Sequence, residues 1–181
     1  MTCARVKVAR PAWQQGKQPG RILGEGHTVN QRVRAAVILQ RGSSVLLVQH
    51  ADPATGAEWW VPPGGGLEDA DETVMHCAAR EAREESGLDV RVGRLIYLRE
   101  FTSNGARNIE LFFAGEVIGG TLTTANAQGS GPDDRMIRDV RWIERNEIAR
   151  LTVYPECLAL EFWEDVERGF THVRYLGTAD G

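Results

Sequence analysis

Three consecutive glycines lead into an amphipathic helix, and a further glycine ends that helix before a strand; residues 64–88 constrain the fold of this chain more than any other stretch. Gly64, Gly65 and Gly66 follow Pro62 and Pro63, a run that a regular element tolerates poorly and that reads as a loop. A helix is predicted over 70–86. Asp69 with Glu72 three residues on has the form of a capping box. Gly87 sits where a helix C-terminus favours glycine. Val74, Ala78 and Ala82 recur every four residues, which gives the helix an apolar stripe to bury. Beyond Leu88 the period becomes two: Leu88, Val90 and Val92 alternate with Asp89 and Arg91.

The rest of the chain is read against that segment. Residues 33–39 and 44–49 form an expected hairpin about Arg41-Gly42-Ser43, and 58–61 a short strand. Longer strands are expected over 95–101 and 109–117, a loop over 121–132, a strand over 140–143 and a helix over 154–168. Strands and helices mix without the regular alternation of a doubly wound sheet, so the expected class is α+β (mixed α/β), helices packed on a mixed β-sheet. The compact domain is expected over 32–168, with a C-terminal tail over 169–181. Residues 1–31 carry Arg5, Lys7, Arg10, Lys17 and Arg21 against the single acid Glu25. Two readings of this basic arm stand: a flexible extension or misplaced start, and an arm that covers substrate or supports a homodimer.

Composition narrows the function classes. A formal net charge of −4 over 181 residues offers no coat for nucleic acid and no anionic membrane surface. No run approaches a bilayer span, and no apolar N-terminal stretch resembles a signal peptide. Cys3, Cys77 and Cys157 are odd in number and lack metal spacing, so a reducing, cytoplasmic setting is expected. His76 and Cys77, within the helix, read as packing or surface residues.

Glu81, Glu84 and Glu85 are spaced i, i+3 and i+4, on one side of the helix. Two unit charges about 5 Å apart repel by roughly 3 kcal/mol at an effective dielectric near 20. A solvated acidic face would dilute that cost. However, the arc abuts the apolar stripe, which places Glu85 in partial burial, where like charges need a counter-charge. Arg80 and Arg83 can supply part of it and a divalent cation more. Carboxylate oxygens suit hard cations such as Mg²⁺ or Mn²⁺. The glycine backbone, with no Cβ in the way, can approach a metal or phosphate closely. Such an ion could bridge phosphate oxygens, neutralise charge and activate water.

From Gly66 through Glu72 to Arg80-Glu81-Ala82-Arg83-Glu84-Glu85-Ser86-Gly87-Leu88, the chain matches every defining position of the Nudix box, G-x5-E-x7-R-E-U-x-E-E-x-G-U with U apolar. A chance match is on the order of 10⁻⁹ per window. The chain thus resembles the Nudix hydrolases, and the order of elements from 32 to 168 resembles their fold, an α/β/α sandwich with a catalytic loop and helix. One departure is that the glycine loop reads one residue longer, with Asp71 where the family often has glycine. That leaves open whether Gly65 or Gly66 offers its carbonyl to the metal.

The resemblance implies a pyrophosphohydrolase that cleaves a phosphoanhydride bond in a nucleoside diphosphate linked to another group, with Mg²⁺ or Mn²⁺ as cofactor and a small nucleotide as partner. Glu84 and Glu85 would bind metal. Glu81 would be a further ligand or the base that orients water. Glu72 would assist through a water of the cation or hold the loop, and Arg80 would fix the glutamate rotamers. Asp133 and Asp134 are candidates for a further acid. Arg99, Arg107, Arg135 and Arg138 could reach phosphates. Trp59, Trp60, Tyr97 and Phe101 could stack on a base, although large aromatics more often build core. Downstream marks of ADP-ribose, dinucleoside-polyphosphate and NADH hydrolases are absent. The alternatives are a non-catalytic module that senses a nucleotide on the same fold, and an isoprenoid diphosphate isomerase, for which no cysteine is well placed.

Overall fold

Strand β1 (Asn30–Arg41) organises the sheet because both of its faces are apolar. A computed structural model of the chain describes residues 30–103, 106–125 and 136–180. In it Ala35, Val37 and Leu39 pack on one side of β1 and Ala36 and Ile38 on the other, as a period of two requires. The remaining strands are β2 (Ser44–Ala51), β3 (Glu58–Val61), β4 (Gly64–Gly66), β5 (Leu88–Ser103), β6 (Ala106–Gly120), β7 (Ile137–Glu144) and β8 (Arg174–Asp180). Their main order is β3-β2-β1-β6-β5-β8, with β4 paired to β1 and β7 to β2. The pairs β1–β6 and β5–β8 are parallel and the others antiparallel, so the sheet is mixed, as expected.

Helix α1 (Val74–Ser86) covers one face, burying Cys77, Ala78 and Ala82 against Ala35, Val37 and Leu46. The small side chains on that stripe let the helix lie close to β1. The opposite face is covered by α2 (Arg145–Ile148), a 3₁₀ turn (Glu156–Ala159) and α3 (Glu161–Glu167). There Ile148, Leu158, Phe162 and Trp163 pack on Ala36, Ile38, Ile96 and Phe112. The result is a sandwich of helices about one sheet. Trp59, Trp60, Tyr97 and Phe101 are all buried. No described helix is long and apolar enough to cross a membrane.

Several elements differ from the sequence-based expectation. Helix α1 starts at Val74, not Ala70: Thr73 is the N-cap, its hydroxyl accepting from the His76 N–H, while Asp69 is exposed. Residues 68–71 turn instead, with the Asp71 N–H donating to the Glu68 carbonyl at 3.0 Å and the Glu68 N–H donating back to the Asp71 carboxylate at 2.9 Å. The glycine run is a strand, not a loop. A Cβ on Gly64 would stand 2.4 Å from the Ala36 Cβ, so only glycine backbone can lie this close to β1. The expected helix over 154–168 breaks at Leu160, whose φ is −141°. The Trp163 indole takes the Leu158 carbonyl at 3.0 Å, the acceptor that a continuous helix would have offered to a backbone N–H. Strand β5 runs on through Gly93 by means of register shifts, and residues of the expected tail form β8 at the sheet edge. Of the basic arm, Asn30 and Gln31 open β1 and residues 1–29 lie outside the described residues.

Candidate active site

The site is assembled where β4 leaves β1 and α1 passes over it. Register pairs Arg34, Ala35 and Ala36 of β1 with Gly66, Gly65 and Gly64. Glu81 lies directly over Gly65: a Cβ there would stand 2.2 Å from the Glu81 carboxylate. Glu85 is buried, and its Oε2 accepts the Gly64 N–H at 2.8 Å. Glu84, one turn on from Arg80, is partly exposed.

Arg80 ties these groups together. Its Nη1 donates to Glu81 at 2.9 Å and to Glu84 at 3.1 Å. Its Nη2 donates to the Gly66 carbonyl at 3.2 Å. Nε and Nη2 both bond the Asp71 carboxylate, at 3.0 and 2.8 Å. This bidentate contact, charge-assisted and nearly out of solvent, holds the Asp71 carboxyl below the usual carboxylate range. Asp71 at the position where the family often has glycine therefore has a function here, as the anchor of Arg80. Glu81 shifts the other way: burial pushes its carboxyl up, against the pull of Arg80.

Arg34, which sequence reasoning did not single out, and Cys77, read there as a packing or surface residue and found buried, support the glycine strand. Arg34 is buried and donates through Nη2 to the Gly64 carbonyl at 2.7 Å and the Pro62 carbonyl at 3.2 Å. Cys77 Sγ lies 3.6 and 3.4 Å from the carbonyls of Gly65 and Gly66. Burial pushes the Cys77 thiol up to about 12, so it stays protonated and acts as a weak donor, not as a nucleophile. Neither residue had a readable signal, since each partner lies distant along the chain.

The other sequence-predicted residues fall elsewhere. Glu72 is exposed and meets His76 at 3.6 Å instead of the helix glutamates. Arg99 is buried, its Nε 3.0 Å from Glu110 and its Nη1 donating to Glu156 at 2.9 Å. Arg107 is exposed, 3.9 Å from Glu100. Asp133, Asp134 and Arg135 lie outside the described residues.

The donor set fits a divalent cation. Four carboxylates, Asp71, Glu81, Glu84 and Glu85, lie about the guanidiniums of Arg80 and Arg34, with that of Arg32 beside Gly66, so acids outnumber these cations in the cluster. Its oxygen donors are of the hard kind. Among the described residues no three His, Cys, Asp or Glu side chains form a ready cation cage, because the Arg80 guanidinium stands between Glu81 and Glu84.

A NUDIX domain family model matches residues 30–163. The chain is 32% identical over 114 residues to the 8-oxo-dGDP phosphatase NUDT18 of Danio rerio, covering 62% of this chain and 32% of that protein. It therefore spans about a third of that relative's length. It is 28% identical over 140 residues to a MutT-like protein of Streptomyces ambofaciens, covering 77% and 79% of the two chains. The crystal structure of a NUDIX hydrolase from Nitrosomonas europaea superposes with a TM-score of 0.65 at 20% identity, covering 86% of this chain and 82% of that one. Because the family model takes in every strand but the last, along with the glycine strand and the whole of α1, this chain belongs to the Nudix hydrolase family.

Proposed function

We propose that the protein is a pyrophosphohydrolase that requires Mg²⁺ or Mn²⁺ and cleaves a phosphoanhydride bond in a nucleoside diphosphate linked to another group. One observation carries this reading: Glu81 and Glu85 meet a strand of glycines, with Gly65 bare of a side chain where the Glu81 carboxylate lies, and Arg80 joins Glu84 to Glu81 on the same helix. Bound there, a divalent cation would neutralise phosphate oxygens and make water a better nucleophile. Glu84 and Glu85 would hold it, with the carbonyl of Gly65 or Gly66 beside them. Glu81 would add a further oxygen or orient the attacking water. Arg80 sets the rotamers of Glu81 and Glu84, and Arg34 sets the line of the glycine strand. Glu72 would hold the loop–helix junction through His76. Arg107 and Arg138 are exposed cations available to a phosphate tail.

The name of the zebrafish relative supports a nucleoside diphosphate as substrate and puts 8-oxo-dGDP first in a substrate panel. The panel should also contain nucleoside triphosphates, sugar nucleotides, dinucleoside polyphosphates and coenzymes, with Mg²⁺ and with Mn²⁺, read by product identification. Release of phosphate or a nucleoside monophosphate is expected. Glu84→Gln and Glu85→Gln should each lower turnover by orders of magnitude in a folded protein, since a glutamine oxygen at 85 can still accept the Gly64 N–H and one at 84 can still accept from Arg80. Undiminished turnover in both variants would remove them from the site. The second reading, a nucleotide-sensing module without catalysis, is disfavoured by retention of all four glutamates of the box. It would gain support from tight binding in calorimetry with no product from any compound.

A further inference from the structure

Among the described residues, four buried side-chain nitrogen or oxygen atoms lack a hydrogen-bond partner, and three of them belong to one stacked pair. They are Nδ1 and Nε2 of His50 and Nε1 of Trp59. The two residues face each other across the β2–β3 ladder, with ring centroids 5.6 Å apart and planes 26° from parallel. His50 is 5% exposed and Trp59 2%. A buried polar atom without a partner carries a free-energy cost, and phenylalanine at position 50 would make the same stack without it. Both imidazole nitrogens are thus open to a polar group within reach.

The group it faces is on the page. Nε2 of His50 lies 4.0 Å from Oε1 of Glu85, whose other oxygen is pinned by the Gly64 N–H. The charged neighbours around the ring are Glu85 from α1 and Arg34 from β1; Trp59 of β3 and Ile137 of β7 lie beside it in the ladders. Burial, aided by the Arg34 charge, lowers the imidazole pKa to about 3 and keeps the ring neutral. A neutral ring has one N–H to donate. Closing the gap to hydrogen-bond length takes a shift of about 1 Å.

We propose that His50 is a positioning residue for Glu85: when a divalent cation draws on that carboxylate, the imidazole donates through Nε2–H to Oε1 and fixes which lone pairs of Glu85 point to the glycine strand. The inference rests on Glu85 as a cation-binding group. Partners of this kind, behind a ligating carboxylate, typically govern metal affinity by about 10–100-fold.

The test uses the full chain with histidine labelled in ¹⁵N. Mn²⁺ affinity is measured by electron paramagnetic resonance, and the His50 nitrogens are followed by NMR during a Mg²⁺ titration. His50→Phe keeps the stack on Trp59, and its melting temperature should equal or exceed that of the wild type. Its Mn²⁺ affinity should fall by about 10–100-fold. His50→Gln retains an N–H donor and should recover most of the loss. In the wild type, the His50 nitrogen resonances should shift as Mg²⁺ saturates. Unmoved resonances at saturation, or a folded His50→Phe protein with wild-type Mn²⁺ affinity, would overturn the role of His50 and leave the wider functional reading intact. A wild type that takes up no Mn²⁺ would sink both. Should His50→Phe not fold, the titration of the wild type alone decides.

Discussion

Gly65 lacks a side chain where the Glu81 carboxylate needs room, and this is the most economical way to test the site residue by residue. Gly65→Ala would drive a methyl into Glu81, since the new carbon would lie 2.2 Å from Oε1. The long glutamate can swing aside, so the fold should survive while turnover drops by about 10–100-fold, the scale seen when the support of a metal ligand is disturbed. The same change made in a Glu81→Ala background should cost little more, and steady-state kinetics on the four proteins checks this. Asp71 gives a test in pH. Its carboxyl is held below its unfolded value of 3.8, so it stabilises the fold above that pH and the benefit fades as pH falls through its lower folded value. Asp71→Asn should cost about 2 kcal/mol, or roughly 4–8 °C in melting temperature at neutral pH, and the gap should close in acid below 3.8. Melting curves of the two proteins across that range would check it. The glutamates were legible from spacing because three acids on one helical arc need a counter-charge. Arg34, His50 and Asp71 were not: a buried ion pair or an orphan imidazole leaves no local periodic trace, and its partner lies elsewhere in the chain.

At the scale of elements, the α1 boundary shows how local chemistry competes. Asp69 precedes Glu72 at capping-box spacing, whereas three residues after Thr73 stands His76. The close of the 68–71 turn by Asp71 leaves Thr73 as the first residue free to cap. Thr73→Ala should cost about 1 kcal/mol and lower the melting temperature by about 2–4 °C, whereas Asp69→Ala should change it little. A thermal melt that ranks the two the other way round would restore the capping box. The far end was legible: Gly87 has φ of 72°, its N–H donates to the Arg83 carbonyl, and a Cβ there would meet the Thr121 carbonyl at 2.4 Å. Strand β4 was not, because three glycines carry no alternation and their pairing with β1 depends on contacts about thirty residues away.

Across the whole molecule, the register of β4, β1, β6 and β5 sets Gly66, Arg34, Glu110 and Arg99 in one transverse row. Glu110 is shared: Arg34 Nη1 lies 3.8 Å from one oxygen and Arg99 Nε 3.0 Å from the other. Arg99 continues to Glu156 on the 3₁₀ turn, so the row links the glycine strand to the opposite layer of helices. Glu110→Gln would remove the negative charge between two buried guanidiniums, while Arg99 keeps Glu156 and Arg34 keeps the Gly64 carbonyl. We expect a loss of about 1–3 kcal/mol, read as a lower urea midpoint at unchanged slope. The mixed sheet and its two helical layers were legible, since β1 and the stripe on α1 carry apolar residues at the right periods. The row was not, because it exists only once four separate segments are in register.

Arg80 makes one last difference to how such a protein lives. Its guanidinium lies against Glu81, Glu84 and Asp71 from within the chain itself, so much of the mutual repulsion of these acids is already answered by covalently attached charge. On the proposed need for a cation, mineral scarcity should then disarm the enzyme without dismantling it. A chelator is expected to abolish turnover, leave the melting temperature unchanged, and be reversed by added ions.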